Sequence, residues 1–239
     1  MGHRGAAAVA PENTLAGFRR AAAGGACWVE FDVMLTADHV PVLFHDDNLK
    51  RTTGRGALMA ETPYSVVRTL EAGAWFAPEF AGEPVPTLEA ALALLLELGL
   101  GANIEIKPTP GRGRETATAA LAVIGRCWPA TQPPPLVSSF NRDSLEAARQ
   151  HAPAVPRGLL ALRLPRDWVT AARRLECSTL HVAGGWLTAK RAARIKAQGY
   201  GLAAFTINDP VRARTLFGWG VDSIITDDPA AMVEALSAN

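Results

Sequence analysis

The sequence predicts an α/β fold and, within that class, a (β/α)8 barrel, also called a TIM barrel. Short apolar runs alternate with longer amphipathic stretches along the 239-residue chain. This alternation is typical of a parallel sheet covered by helices. Candidate site residues follow several different strands, from residue 3 to about residue 206. That spread favours a closed barrel over an open sheet, in which one crevice would carry the site.

Each element is predicted from its own pattern. Strands are expected at residues 28–33, 42–45, 103–107, 136–140, 157–162, 179–182, 202–207 and 222–226. Helices are expected at residues 15–23, 87–98, 114–127, 142–150, 167–175, 188–198, 211–219 and 229–238. Asn13 or Thr14 can cap the first helix, and Gly199 offers the left-handed residue that ends a later one.

Residues 46–86 interrupt the alternation of strands and helices. This stretch is rich in glycine, proline and aromatic residues, among them Trp75, Phe76 and Phe80. We interpret it as an insertion packed over the barrel mouth. Neither a linker nor a second pattern of elements is visible, so residues 1–239 are predicted to form a single domain.

Composition and charge exclude several classes of protein. Hydrophobic residues make up 49% of the chain and charged residues 20%, which is ordinary for a globular domain. The net charge of +1 predicts no nucleic-acid partner and no stable membrane association. Cys27, Cys127 and Cys177 are widely spaced and odd in number, which favours buried free thiols in a reducing compartment. A cytoplasmic location is therefore expected, while the oligomeric state stays open.

Carboxylates at strand positions are the first candidate site. Glu30 and Asp32 are two residues apart on a predicted strand, so their side chains share one face. Facing outward, they would be buried beneath helices without partners, which is unfavourable. Facing inward, together with Glu105 from another strand, they would form a hard-oxygen site for one divalent metal, Mg2+ or Ca2+. The alternative is a structural network of ion pairs with Lys107 or Arg4.

Two histidines lie in polar contexts near these carboxylates. His3 and His45 have side chains whose ordinary pKa is about 6.5, so either can activate a nucleophile or protonate a leaving alkoxide. Arg4 and Lys107 supply fixed positive charge for phosphate oxygens. A Schiff-base aldolase built on Lys107 would leave the carboxylates unexplained. His181, on a later strand, stays open between a substrate contact and a core position.

These residues belong to longer motifs that follow one another along the whole chain. The stretches are His3-Arg4-Gly5, Pro11-Glu12-Asn13-Thr14, Glu30-x-Asp32, Thr36-x-Asp38, Val42-x-x-His45-Asp46, Leu49-x-Arg51-Thr52-Thr53-Gly54, Pro86-Thr87-Leu88, Ile104-Glu105-Ile106-Lys107, Ser139-Phe140, Thr206-x-Asn208 and Gly220-Val221-Asp222 to Thr226-Asp227. Taken together they resemble the glycerophosphodiester phosphodiesterase family. Residues 72–75 and 102–108 look most like its cytoplasmic bacterial branch, which is associated with glycerol-phosphate uptake.

The resemblance implies a barrel with this insertion, and hydrolysis of a small glycerophosphodiester to sn-glycerol 3-phosphate and an alcohol. It implies that His3 and His45 are the acid–base pair and that Glu30, Asp32 and Glu105 hold the metal. We expect substrate contacts from Arg4, Lys107, Ser139 and Phe205, and supporting contacts from Glu12, Asn13, Asp46 and Asn208.

The sequence departs from the family pattern at two places. Family members usually carry several apolar residues before His-Arg-Gly, whereas only Met1 and Gly2 precede His3. Either the natural start of the protein lies upstream of Met1, or the first strand is short and fixes His3 weakly. Phe205 stands where the family often has Trp or Tyr, which keeps an apolar wall but removes a polar group. Two other functions remain open: a phosphodiesterase of the lysophospholipase D or sphingomyelinase D type, and a non-catalytic glycerol-phosphate binder.

Overall fold

The computed structural model describes residues 1–238, and its strands form one sheet that closes on itself. Within these residues the strands are β1 (Gly2–His3), β2 (Trp28–Leu35), β3 (Pro41–Leu43), β4 (Gly101–Ile106), β5 (Leu136–Ser139), β6 (Arg157–Ala161), β7 (Thr179–Ala183), β8 (Gly201–Phe205) and β9 (Ser223–Ile224). Apart from β3, they pair in parallel in the order β1-β2-β4-β5-β6-β7-β8-β9. A parallel bridge between Gly2 and Thr226 joins the two edges. The predicted (β/α)8 barrel is confirmed.

Helices cover the outside of this barrel and also occur in the insertion. They are α1 (Leu15–Ala23), α2 (Lys50–Thr53), α3 (Tyr64–Val67), α4 (Leu88–Leu98), α5 (Gly113–Cys127), α6 (Arg142–His151), α7 (Trp168–Arg174), α8 (Ala189–Lys196), α9 (Pro210–Gly218) and α10 (Pro229–Ser237). The Thr14 hydroxyl accepts the backbone N–H of Gly17 at 3.1 Å and caps α1 as predicted. Gly199, with φ +83°, follows the end of α8 in the left-handed conformation.

The segment predicted as a strand at residues 42–45 does not belong to the barrel. It forms β3, which folds back on β2 and pairs with it antiparallel. Only residues 36–40 separate the two strands, whereas a parallel connection needs about a dozen residues or more. The two-residue β1 instead supplies the eighth parallel strand.

The hydrophobic core fills the space between the barrel and its helices. In β4, Ala102, Ile104 and Ile106 are fully buried among side chains of the covering helices. The alternate residues Asn103 and Glu105 point to the inside of the barrel, because successive side chains of a strand face opposite sides. Because the apolar side chains of each strand face the helices, the polar side chains that alternate with them face the centre of the barrel.

The insertion packs along the β2–β3 side of the mouth and has a small core of its own. The Glu83 carboxylate accepts the backbone N–H of Ala16 at 2.9 Å, which ties the insertion to the start of α1. Its buried apolar side chains pack with those of β2 and β3, and together they are Met34, Val42, Phe44, Leu49, Met59, Val67, Ala72 and Val85. The assignment of residues 1–239 to one domain stays a prediction.

The cysteines and the helices bear on two further expectations. All three cysteines are free, but only Cys177 is buried, and Cys27 is exposed in the turn between α1 and β2. The expectation of buried thiols is therefore wrong for Cys27. No helix within residues 1–238 combines the length and the apolar character needed to span a bilayer.

Candidate active site

A cavity of about 310 Å3 opens at the carboxyl ends of the barrel strands. Its volume is that of a site for a small molecule. Its walls are formed by His3, Arg4, Glu30, Asp32, His45, Glu105, Lys107, Phe140, Leu160, Leu162, Phe205, Thr206 and Ile225. Charged side chains line one side and apolar side chains the other.

Three carboxylates converge at the base of the charged side. Glu30 and Asp32 lie on one face of β2, and Glu105 on β4 is in register with Asp32. One oxygen from each of the three lies within 4.8 Å of the others. The residues are only 4%, 2% and 7% exposed, respectively. Buried carboxylates this close together repel one another unless a cation compensates them.

Positive charge within the protein neutralises only one of the three. Burial alone would raise the pKa of Asp32, but Arg4 and Lys107, with nitrogens 3.3 and 3.5 Å from its oxygens, hold it below its usual range. Burial and the charge of Asp32 raise the pKa of Glu30 to about 7 and that of Glu105 well above its usual value. Glu30 and Glu105 therefore lack the positive charge that Asp32 has.

A tight turn after β1 places Arg4 against these carboxylates. Arg4 and Gly5 have φ angles of +49° and +94°, and a Cβ on Gly5 would lie 2.7 Å from the carbonyl carbon of Gly17. Only glycine fits that position. The turn lets the Arg4 backbone N–H donate to Glu30 Oε2 at 3.2 Å, while its guanidinium donates to Glu12 at 2.9 Å.

Asn13 fixes Asp32 through a reciprocal pair of hydrogen bonds. Its side-chain amide donates to Asp32 Oδ2 at 3.0 Å, and the Asp32 backbone N–H donates to Asn13 Oδ1 at 3.1 Å. Asn13 has φ +55°, a left-handed conformation that asparagine tolerates better than most residues. The Pro-Glu-Asn-Thr motif therefore supports the site through contacts made by its third residue.

His3 is held by residues from the other end of the barrel sheet. Its backbone N–H donates to Thr226 O at 2.7 Å, and its ring Nδ1 lies 2.5 Å from Asp227 Oδ1. Asn208 donates to the second Asp227 oxygen at 2.6 Å. Burial would lower the pKa of His3, but the Asp227 hydrogen bond and the charge of Glu30 outweigh it and raise that pKa. The expected weak placement of His3 is thus not what the structure shows.

His45 has a matching arrangement, with the carboxylate supplied by the next residue. Its Nδ1 lies 2.7 Å from Asp46 Oδ1, and Arg51 donates to Asp46 at 2.6 and 3.1 Å. The Arg51 hydrogen bonds lower the pKa of Asp46 to about 2. Arg51 also donates to both oxygens of Glu12, at 2.8 and 2.7 Å. Because a carboxylate only accepts, each ring carries its proton on Nδ1 and keeps Nε2 for other partners.

The opposite side of the cavity is apolar. The rings of Phe140 and Phe205 meet edge to face with their centres 5.9 Å apart. Leu160, Leu162 and Ile225 extend this wall along β6, the loop after it and the end of β9. Leu162 is 65% exposed, so the wall continues out of the cavity onto the surface.

Phe205 lines the cavity, and Glu12, Asn13, Asp46 and Asn208 make the hydrogen bonds described above to residues at or beside it. The exception among the predicted site residues is Ser139. Ser139 is fully buried, donates to the Ile106 carbonyl at 2.5 Å and accepts from the Asn141 backbone N–H at 3.0 Å. It does not line the cavity and instead ties the ends of β4 and β5 together. Sequence reasoning gave no role to Asp227 or Arg51, although both stand in the motif stretches quoted above.

His181, which the sequence left open, is a core residue. It is fully buried inside the barrel, and its Nε2 pairs with Thr179 Oγ1 at 3.0 Å. No residue among 1–238 pairs with its Nδ1. Burial lowers the pKa of His181 to about 4, so the ring is neutral at pH 7.

Comparisons with known proteins agree with this arrangement. The model of the glycerophosphoryl diester phosphodiesterase family matches residues 3–231. A glycerophosphodiester phosphodiesterase of Caldanaerobacter subterraneus subsp. tengcongensis is 32% identical over 234 residues, which cover 98% of this chain and 95% of the relative.

Solved structures give the same result. An Oleispira antarctica phosphodiesterase, solved in complex with the product sn-glycerol-3-phosphate, has a TM-score of 0.96 and 38% identity, covering 99% of this chain and 96% of that one. A glycerophosphodiester phosphodiesterase from Agrobacterium tumefaciens has a TM-score of 0.78 and 26% identity, with 98% and 97% covered.

Proposed function

Because the chain belongs to the glycerophosphoryl diester phosphodiesterase family, we propose that its cavity hydrolyses glycerophosphodiesters to sn-glycerol 3-phosphate and an alcohol. Membership of this family makes the protein an enzyme, a phosphoric diester hydrolase. The observation that carries the detailed proposal is the cluster of three buried carboxylates beside two histidines, each with a carboxylate on its Nδ1.

We assign one divalent metal, Mg2+ or Ca2+, to Glu30, Asp32 and Glu105. The residues fit such an ion because all their donors are carboxylate oxygens, and because burial and the nearby charge of Asp32 raise the pKa values of Glu30 and Glu105, which a bound cation would offset. When bound, the ion would neutralise charge that develops on the phosphate in the transition state.

The two histidines would move the protons of the reaction. One Nε2 accepts the proton of the nucleophile, either water or the glycerol hydroxyl of the substrate, and the other Nε2 donates a proton to the leaving alkoxide. Asp227 and Asp46 orient the rings of His3 and His45, and Asp227 also stabilises the imidazolium form of His3. The raised pKa of His3 is consistent with this stabilisation.

Binding would be divided between the two sides of the cavity. Arg4 and Lys107 face the carboxylate cluster and can contact phosphate oxygens. Phe205 and Phe140 would contact the alcohol group. Glu12, Asn13, Asp46 and Asn208 would hold the catalytic and metal-binding groups in place through the hydrogen bonds described above.

Release of glycerol 3-phosphate from glycerophosphocholine, with and without a chelator, tests this function. We expect activity to disappear with the chelator and to return with added Mg2+ or Ca2+. Activity that persists in the chelator would contradict the metal assignment.

A ligand variant tests the metal site independently of activity. Glu105→Gln should raise the metal dissociation constant at least ~100-fold in calorimetry, because even residues that only support metal ligands contribute ~10- to 100-fold. The matched control is Glu97→Gln on the exposed face of α4, which should bind the metal as the wild type does. Equal affinity of the Glu105 variant would remove Glu105 from the ligand set.

The apolar wall favours one second candidate, an activity of the lysophospholipase D type. Phe140 and Leu162 are 45% and 65% exposed beside the catalytic cavity, where an acyl chain could lie. A kcat/KM for lysophosphatidylcholine at least ~10-fold above that for glycerophosphocholine would support this candidate. No release of choline from either substrate, with metal present, would instead favour a non-catalytic binder.

A further inference from the structure

The charge of the chain is distributed unevenly. Residues 163–198 contain eight Lys or Arg and only two Asp or Glu, whereas the whole chain has a net charge of +1. Both acids are already paired: Asp167 with Arg142 at 2.7 Å, and Glu176 with Arg157 at 3.3 Å. This part of the surface therefore carries a strong positive excess that the net charge conceals.

Much of the excess surrounds one cavity. About 240 Å3 in volume, it lies between the starts of α7 and α8 and is lined by Arg166, Arg191, Arg194, Trp168 and Trp186 among others. The Arg191 guanidinium lies 4.5 Å from the centre of the Trp186 ring, and that of Arg194 lies 5.9 Å from the Trp168 ring. Within residues 1–238, none of these three arginines forms an ion pair with a carboxylate.

This cavity lies near the mouth of the catalytic cavity, along the loop between β6 and α7. The loop between β6 and α7 lines both, Leu162 at the catalytic end and Arg166 at the other, with Arg163 and Pro165 lining a further cavity between them. Leu162 is 65% exposed at this junction. Exposed apolar and basic groups therefore lie side by side on one rim of the barrel. We call Arg163, Arg166, Lys190, Arg191 and Arg194, together with Leu162 and Trp186, the basic rim.

We propose that the basic rim docks reversibly on an anionic lipid surface. Guanidinium groups without carboxylate partners match lipid phosphates, because the planar guanidinium can bind phosphate oxygens in pairs. Tryptophan is favoured at the boundary between water and lipid, and an exposed leucine can enter the apolar layer. A small anion would use the arginines but would give no role to Leu162 and Phe140.

Such docking would bring the catalytic cavity to the membrane–water boundary. The rim and the cavity open at the same end of the barrel, since the loops after β6 and β7 and the first turns of α8 form the rim and the carboxyl ends of the strands form the cavity. The net charge of +1 predicted no stable membrane association, and the proposed contact is instead a local and salt-sensitive one.

Binding to vesicles tests the proposal. Wild-type protein is sedimented at 0.1 M salt with vesicles of phosphatidylcholine and phosphatidylglycerol at 3:1, and with pure phosphatidylcholine. We expect partitioning at least ~10-fold stronger on the anionic vesicles. The triple variant Arg166→Gln, Arg191→Gln, Arg194→Gln should partition onto the anionic vesicles about 100-fold more weakly than the wild type. Each basic group near an anionic surface strengthens binding about fivefold.

A matched variant separates the basic rim from net charge. Arg19→Gln, Arg114→Gln and Arg126→Gln together remove the same charge from α1 and α5, on the other half of the barrel. The partitioning of this control variant onto anionic vesicles should weaken by less than ~threefold. Both variants should keep the wild-type turnover of glycerophosphocholine, which checks that they are folded.

Three results would overturn the proposal. Wild-type protein could fail to prefer anionic vesicles, or the two triple variants could lose binding equally. Alternatively, calorimetry could show that inorganic phosphate binds the wild type and not the rim variant, while vesicles bind neither. That last result would identify a site for a small anion instead of a lipid surface.

Discussion

The two halves of the barrel contribute different chemistry to the same cavity. The first half, up to residue 107, supplies all the ionisable side chains of the wall, from His3 to Lys107. The second half, from residue 140 onward, supplies Phe140, Leu160, Leu162, Phe205, Thr206 and Ile225, none of which is ionisable. A phosphate and the atoms that react would therefore lie against the first half, and the alcohol group against the second.

Under the proposed function, reaction and selectivity would be carried by separable parts of the chain. The ionisable half is held by a network of hydrogen bonds in which Glu12 joins Arg4 to Arg51. The apolar half is held by packing and by the pair of Phe140 and Phe205. Changes in the first half should lower kcat, and changes in the second should alter KM.

The largest effect is expected from the ionisable half. His45→Gln should lower kcat at least ~100-fold with little change in KM, because the ring would no longer transfer a proton. Steady-state kinetics with glycerophosphocholine measure both constants. His151→Gln, at the exposed end of α6, is the matched control and should behave as the wild type. Near-normal turnover of the His45 variant would exclude this residue as a proton-transfer group.

A smaller loss of kcat is expected from Asp227→Asn. An amide can donate to Nδ1 and so favour the wrong tautomer of His3, and loss of a hydrogen-bonded partner that orients a functional histidine costs about 10- to 100-fold. The variant should also shift the pH profile of kcat, since Asp227 helps to raise the pKa of His3. Asp143→Asn, exposed on α6, serves as the control. An unchanged profile would mean that Asp227 acts only in closing the barrel.

The apolar half should respond through KM. Phe205→Ala removes one member of the aromatic pair, which is worth about 1 kcal/mol, and KM should rise about fivefold with kcat nearly constant. Phe217→Ala on the surface of α9 controls for the loss of an aromatic ring elsewhere. If kcat fell as strongly as with His45→Gln, the division between the two halves would be wrong.

Substitution of His181, inside the barrel, should have the smallest effect on activity. It should instead change how the stability of the fold depends on pH. Its pKa is about 4 when folded and about 6.5 when unfolded, so the unfolded chain binds the extra proton between these values. His181 therefore destabilises the fold as the pH decreases through that range, by about 2 kcal/mol between pH 7 and pH 5.

His181→Gln cannot titrate and should lose correspondingly less stability over the same range. Urea unfolding of the wild type and the variant at both pH values measures the difference, in which the titration of other groups cancels. Parallel pH dependence in the two proteins would show that His181 does not carry this coupling.

Local patterns of the sequence were sufficient for much of the barrel and of the carboxylate cluster. The two-residue spacing of Glu30 and Asp32 and the isoleucines around Glu105 determine which way these side chains face, because strand alternation is a local property. The bounds of the eight predicted helices follow from caps and apolar spacing in the same way, and they agree with the structure to within two residues; the short helices α2 and α3 of the insertion were not predicted.

Contacts between distant segments could not be predicted in this way. His3 and Asp227 are 224 positions apart, and only closure of the barrel brings them together. Ser139 stands beside the site in sequence, yet the strand end turns its hydroxyl towards the Ile106 carbonyl. The antiparallel pairing of β3 with β2 follows from the short turn between them, and the apolar pattern of a segment does not show which strand it pairs with.

The junction between β1 and the segment after β9 gives the active site an unusual dependence on local unfolding. The backbone bonds of His3 and Met1 to Thr226 close the ring there, and the His3–Asp227 contact crosses the same junction. A transient opening at this junction would separate His3 from the Asp227 carboxylate while the other strands stay paired. Turnover should therefore decrease at a lower denaturant concentration than the helical signal does, because turnover depends on the hydrogen bonds at this junction.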